Sequence, residues 1–184
     1  MEVIKTKIDG VYIIEPKVFL DQRGYFYESY NKLSLEDKGI EYTFVQDNQS
    51  KSSYGVIRGL HFQKPPHAQT KLLRVVQGSI IDVAVDIRKG SPTYGMHVSA
   101  LLSDDNFKQL LIPAGFAHGF SVLSETAIVQ YKCTDYYHPE TEGGILFNDT
   151  DLDIDWQIPL DEAIISDKDL KHPSFAEFES PFTF

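Results

Sequence analysis

The chain has 184 residues, long enough for one domain with a sizeable core, and its acidic residues outnumber Lys and Arg by 27 to 17. The resulting formal charge of −10 argues against a nucleic-acid backbone gripped by a broad basic surface. Cys133 is the only cysteine, which excludes an internal disulfide and a structural zinc site built on paired thiolates; a reducing cytoplasm is the expected setting. The opening Met1-Glu2-Val3-Ile4-Lys5 has no apolar stretch of signal-peptide length, and no segment approaches the roughly 20 apolar residues of a membrane span. A soluble, single-domain protein is expected over residues 1–184, with no membrane partner.

The 12 Phe and 10 Tyr favour sheet over helix. In chain order, short apolar runs predict strands at 10–16 and 42–45, separated by a short helix over 31–38 that Asn31 would cap. Further strands are predicted at 72–77, 79–88, 96–102, 109–112, 118–122 and 127–132, and a weak helical pattern covers 159–170. The clearest strand is 79–88, where Ile81, Val83, Val85 and Ile87 alternate with Asp82, Ala84 and Asp86 and predict a half-buried strand. Lys89-Gly90-Ser91-Pro92 and Ser103-Asp104-Asp105-Asn106 punctuate these runs as turns. Many short strands without a long helical period imply an antiparallel sandwich or barrel.

Several polar segments interrupt this pattern. Gln46-Asp47-Asn48-Gln49-Ser50 and Arg58-Gly59-Leu60-His61 gather amides, an arginine and a histidine, a set suited to an anionic ligand, since a guanidinium can hold phosphate in a bidentate fork. An ordinary surface loop would explain them equally well. His61 lies between Arg58 and Lys71, cations that would disfavour its imidazolium and keep a proton-accepting form. Pro113-Ala114-Gly115-Phe116-Ala117-His118-Gly119-Phe120 bends the chain around His118, which reads either as a structural turn or as a residue at a barrel mouth, placed for a phosphate or a metal. Tyr131 reads as a core tyrosine and Ser166-Asp167-Lys168-Asp169 as a solvated turn.

Taken in order, Phe19 to Glu28, Arg58-Gly59-Leu60-His61-Phe62-Gln63, Pro113 to Phe120 and Ser166 to Asp169 resemble the dTDP-4-dehydrorhamnose 3,5-epimerase family over nearly the whole chain. The resemblance implies an all-β cupin-type jelly-roll barrel with short peripheral helices, a homodimer with exchanged strands, and no cofactor or metal. The last point agrees with Phe62-Gln63, Gln69 and Lys71 standing where metal-binding cupins carry ligands, because a lysine there repels a divalent cation. The implied reaction converts dTDP-4-dehydro-6-deoxy-D-glucose to dTDP-4-dehydro-L-rhamnose by inversion at C3 and C5, a step of dTDP-L-rhamnose biosynthesis. In this reading His61 matches the base, Asp169 its supporting carboxylate, Tyr131 the acid and Lys71 the cation near the enolate oxygen. Arg23, Phe26, Glu28, Gln46, Asp47, Asn48, Arg58, His118, Glu142 and Lys168 match positions that hold the dTDP portion.

Proton removal next to a ketone needs enolate stabilisation as well as a base, and inversion needs reprotonation from the other face, which is why an ammonium and a second proton donor are required. Phe147 and His97 depart from the family by replacing tryptophans common there, and read as packing variants. Alternatives are a related mono-epimerase or ketoisomerase on another dTDP-keto-deoxysugar, a silent nucleotide-sugar binding module, or a metal-dependent oxygenase of the same fold.

Overall fold

A computed structural model describes residues 1–184 and places most of the regular backbone in short strands. The first third supplies β1 (Glu2–Lys5), β2 (Tyr12–Glu15), β3 (Phe19–Asp21), β4 (Gly24–Phe26), helix α1 (Lys32–Glu36), β5 (Gln46–Ser53) and β6 (Ile57–Gln63). Next come β7 (Lys71–Gln77), β8 (Ser79–Asp86), β9 (Arg88–Lys89), β10 (His97–Ser103), β11 (Gln109–Ile112), β12 (Phe116–Val122) and β13 (Thr126–Cys133). The remainder contains β14 (Glu142–Gly144), a 3-10 turn at Asp169–Lys171 and β15 (Phe182–Thr183).

Two antiparallel sheets face each other, one ordered β1-β2-β11-β7-β13-β5 and the other β10-β8-β12-β6-β14. The architecture is the expected cupin-type jelly roll. Sixteen buried side chains, among them Leu73, Val75, Ile80, Leu110 and Phe120, fill the space between the sheets. A second core of 14, including Ile81, Val83, Val85 and Trp156, lies on the outer face of the five-stranded sheet, where residues from Ile145 to Phe182 pack over it. Trp156 is held there by a hydrogen bond from Nε1 to the Phe147 carbonyl at 2.9 Å.

This cover corrects the half-buried reading of β8. The alternation is as predicted, but Asp82 and Asp86 are fully buried along with the apolar residues. Both faces lie under protein, so each carboxylate has to find partners inside. Asp86 accepts from the Arg88 guanidinium at 2.7 and 2.9 Å and from the Ser91 and Thr93 hydroxyls at 2.6 Å each.

The helix predicted at 31–38 forms over Lys32–Glu36, and the Asn31 side chain accepts from the Ser34 amide at 3.2 Å. Two expected elements are corrected. Residues 42–45 are not a strand, because Tyr42 and Phe44 pack sideways against the small core around Leu35 and Ile40. No α-helix forms over 159–170; apart from the 3-10 turn that begins at Asp169, the segment is held by scattered contacts such as the Ile57 amide to the Ile164 carbonyl at 3.1 Å.

At the middle of the five-stranded sheet β6 and β12 approach unusually closely at a bulge. Gly59 has φ 124°, and a Cβ there would lie 2.5 Å from the Gly119 Cα. Only glycine fits. The approach sets His61 directly opposite His118 on the neighbouring strand.

Candidate active site

Strand register aims the polar residues inward. Tyr131 on β13 stands opposite Leu73 and Asn48, and Cys133 opposite Lys71 and Gln46. Residues two apart on a strand share a face, so Gln46, Asn48, Lys71 and Tyr131 all project from one side of the six-stranded sheet. His61 and His118 come from the opposite sheet. Between them lies a cavity of about 530 Å³ lined by Arg58, His61, Lys71, His118, Tyr131 and Asp169, with Lys168 at its edge. It continues into a space of about 370 Å³ that shares His61, Lys71 and Tyr131 and is bounded by Gln46, Asn48 and Glu142.

His61 is fixed from behind. Its Nε2 lies 2.7 Å from Asp169 Oδ1, and the Gly59 amide donates to Asp169 Oδ2 at 3.3 Å. The Ser166 hydroxyl accepts from the Asp169 amide at 3.1 Å, which anchors the carboxylate at the start of its 3-10 turn. Burial pushes the Asp169 carboxyl up, but the bonds from His61 and Gly59 outweigh it and hold the group below the usual carboxylate range. An ionised carboxylate only accepts, so Nε2 carries the proton and Nδ1 is left with a free lone pair.

The other groups are tuned by their surroundings. Burial pushes the Lys71 ammonium below its ordinary value, with Cys133, Asp82 and Glu142 opposing the shift. Burial raises the Tyr131 phenol, so it stays protonated through the neutral range. The Lys71 Nζ lies 5.9 Å from the centre of the Tyr131 ring. His118 Nε2 is 2.6 Å from Asp82 Oδ1; burial lowers its pKa while the carboxylate opposes. Glu142 accepts from Lys168 at 2.5 Å and from the Tyr137 hydroxyl at 2.7 Å.

An imidazole with one nitrogen tied and one free, a neutral phenol and a half-buried ammonium around one cavity can remove a proton, return one and stabilise an oxyanion. A description of dTDP-4-dehydrorhamnose 3,5-epimerases matches residues 5–177 of the chain. The chain belongs to this family. The epimerase of Methanothermobacter thermautotrophicus is 53% identical over 167 residues, 90% of each chain. The crystal structure of the Elizabethkingia anophelis epimerase superposes with a TM-score of 0.91 at 53% identity, covering 96% of this chain and 97% of that one. A Legionella pneumophila epimerase solved with dTDP-4-keto-L-rhamnose gives 0.93 at 49%, covering 97% and 94%. The protein is therefore an epimerase of the dTDP-sugar class.

Within this epimerase family frame the structure separates the expected residues into groups. His61, Lys71, Tyr131, Asp169, Arg58, His118 and Lys168 line the main cavity, and Gln46, Asn48 and Glu142 its extension. Asp47 does not join them. It projects from the opposite side of β5, where Lys132 pairs with it at 2.9 Å. Arg23 and Phe26 line a separate depression on the β3–β4 hairpin, and Arg23 forks onto Asp21 rather than into the cavity. Glu28 is exposed and accepts from Asn31 at 3.0 Å. Phe147 is buried in the outer core, and neither it nor His97 lines the cavity.

Sequence reasoning missed two residues. Asp82 was placed on an exposed face, yet it is buried and holds His118. His172 went unremarked, although its ring centre lies 5.7 Å from that of His61. Alternation on a strand buried on both faces could have signalled Asp82; nothing local marks His172.

Proposed function

We propose that the protein inverts C3 and C5 of dTDP-4-dehydro-6-deoxy-D-glucose to give dTDP-4-dehydro-L-rhamnose. The observation that carries this reading is the convergence of His61, Tyr131 and Lys71 on one cavity with Asp169 bonded behind the imidazole. His61 Nδ1 takes the proton on the carbon beside the C4 ketone, and the imidazolium formed is stabilised by Asp169. Lys71 faces the oxygen on which the enolate charge develops, and Tyr131 returns a proton from the other side of the ring. A proton returned by His61 to the same face would restore the starting configuration, so two separate groups are needed. Arg58 and Lys168, with His118 and the amides of Gln46 and Asn48, bind the diphosphate nucleoside.

The working unit in this reading is a homodimer. The β3–β4 hairpin packs little of its apolar surface within its own chain: Leu20 is 76% and Phe26 67% exposed. Such a patch is suited to a second copy of the chain, which would bring Arg23, Phe26 and Glu28 to the neighbouring cavity.

Incubation with dTDP-4-dehydro-6-deoxy-D-glucose in deuterated water, followed by NMR at C3 and C5, tests the reading. Label and inversion at both carbons are expected. Label at one carbon alone would make the protein a mono-epimerase, and migration of the ketone an isomerase.

A further inference from the structure

Two clusters gather metal-type donors. His67, Asp135 and His138 form one on the surface, and His61, Asp169 and His172 the other. In the first, the two imidazoles stack at 3.5 Å with planes 12° apart, so their in-plane lone pairs run parallel instead of meeting at a point. Each ring already has a partner, His67 Nδ1 with Asp135 at 3.0 Å and His138 Nδ1 with Glu140 at 3.0 Å. That cluster is satisfied as it stands.

The second cluster is not. His172 Nε2 is buried without any hydrogen-bond partner. It lies 3.7 Å from the same Asp169 Oδ1 that His61 Nε2 approaches at 2.7 Å, and the two rings are inclined at 73°. The imidazole sits there because Gly144 leaves room for it: a Cβ at 144 would lie 2.3 Å from that same nitrogen. Two imidazole nitrogens and a carboxylate oxygen are thus gathered within 4.8 Å of one another. The 2.7 and 3.7 Å separations bracket the roughly 3.4 Å between ligands of a tetrahedral zinc with ~2.1 Å bonds. The nearby Lys168 cation is neutralised by Glu142.

We propose that His61, Asp169 and His172 form an inhibitory site for a zinc-like divalent transition ion. Two nitrogens and one oxygen favour zinc over magnesium, which prefers oxygen and retained water. The ion takes the place of the proton on His61 Nε2. A neutral imidazole with a metal on one nitrogen carries its single proton on the other, so that proton moves to Nδ1 with no net change in protonation. The nitrogen that must accept from the sugar becomes a donor, and turnover stops while the cavity stays open. The inhibition rests on His61 acting as the base; the metal site itself does not.

Titration calorimetry with zinc chloride separates the two. The unaltered protein, His172→Ala, His172→Gln and His138→Ala are compared, Gln filling the space beside Gly144 without an imidazole. Binding is expected to weaken roughly tenfold or more in both His172 variants, at least the scale at which supporting residues of a metal site act, and to persist in His138→Ala. In parallel, each variant's rate with zinc is divided by its own rate without. Inhibition that a chelator reverses, that magnesium chloride does not produce, and that fades in the His172 variants is expected. Equal zinc binding with and without His172, loss of binding in His138→Ala alone, or binding that leaves the rate untouched would overturn the proposal. If no epimerisation is detected, the reading of His61 as base fails while calorimetry still decides the site.

Discussion

Asp169 joins the turn that carries it to the strand that carries His61, across 108 positions of sequence. Replacement of His61 by alanine removes the free Nδ1 and should lower turnover by about 10³, within the range of general base contributions, together with exchange of sugar hydrogens into deuterated water. In Tyr131→Phe exchange at the abstracted position should survive in part while inversion falls, a split visible when label uptake and product are followed in one NMR sample. Burial lowers the pKa of Lys71 from the ordinary 10.5, and the ammonium, not the amine, stabilises an enolate. The rate should therefore fall on the alkaline side at a pH below 10.5, and a Lys71→Arg variant, charged throughout, should lose that limb in a pH–rate profile. His61 and Lys71 were legible in the sequence through their polar and cationic neighbours. Tyr131 and Asp169 were not, since each looks ordinary within its own segment and only the resemblance singled them out. Asp82 and His172 escaped both readings because their importance lies in what folds against them.

Buried networks at the strand ends carry stability. The corner between β8 and β9 is organised on Asp86, which burial alone would push up but which Arg88, Ser91 and Thr93 pull down to a pKa of about 2. A depressed carboxylate contributes stability that is complete above the unfolded value near 4 and disappears as the pH falls through about 2. The shift from 3.8 to about 2 corresponds to roughly 2 kcal/mol. Asp86→Asn should lose about that much in a denaturant titration at pH 7, and its stability should change less between pH 4 and pH 2 than that of the unaltered protein. The apolar strands β7, β11 and β13 were readable to within a residue or so because alternation and apolar runs mark them. β5, Gln-Asp-Asn-Gln-Ser-Lys-Ser-Ser, was not: it is an edge strand with no apolar residue, and its neighbour β13 alone dictates its conformation. The tail pattern over 159–170 misled because only Ala163 and Ile165 pack against the outer core, while Leu160, Ile164 and Leu170 stay exposed.

Taken as one molecule, the chain leaves the β3–β4 hairpin exposed while its cavity lies between two sheets. If a second copy covers that hairpin, Phe19→Ser with Phe26→Ser should shift sedimentation from dimer toward monomer and raise KM more than it lowers kcat, since the reacting groups sit elsewhere. An unchanged sedimentation profile would remove the hairpin from the interface. The long C-terminal wrap has another consequence. The strand bearing His61 is complete by residue 63, but its carboxylate partner arrives with residue 169. Residues from Ile145 to Phe182 also cover the outer face of the five-stranded sheet, so a chain lacking them leaves Ile81, Val83 and Val85 bare on that face. A chain broken off before Asp169 would carry the His61 imidazole without the carboxylate that fixes it from behind.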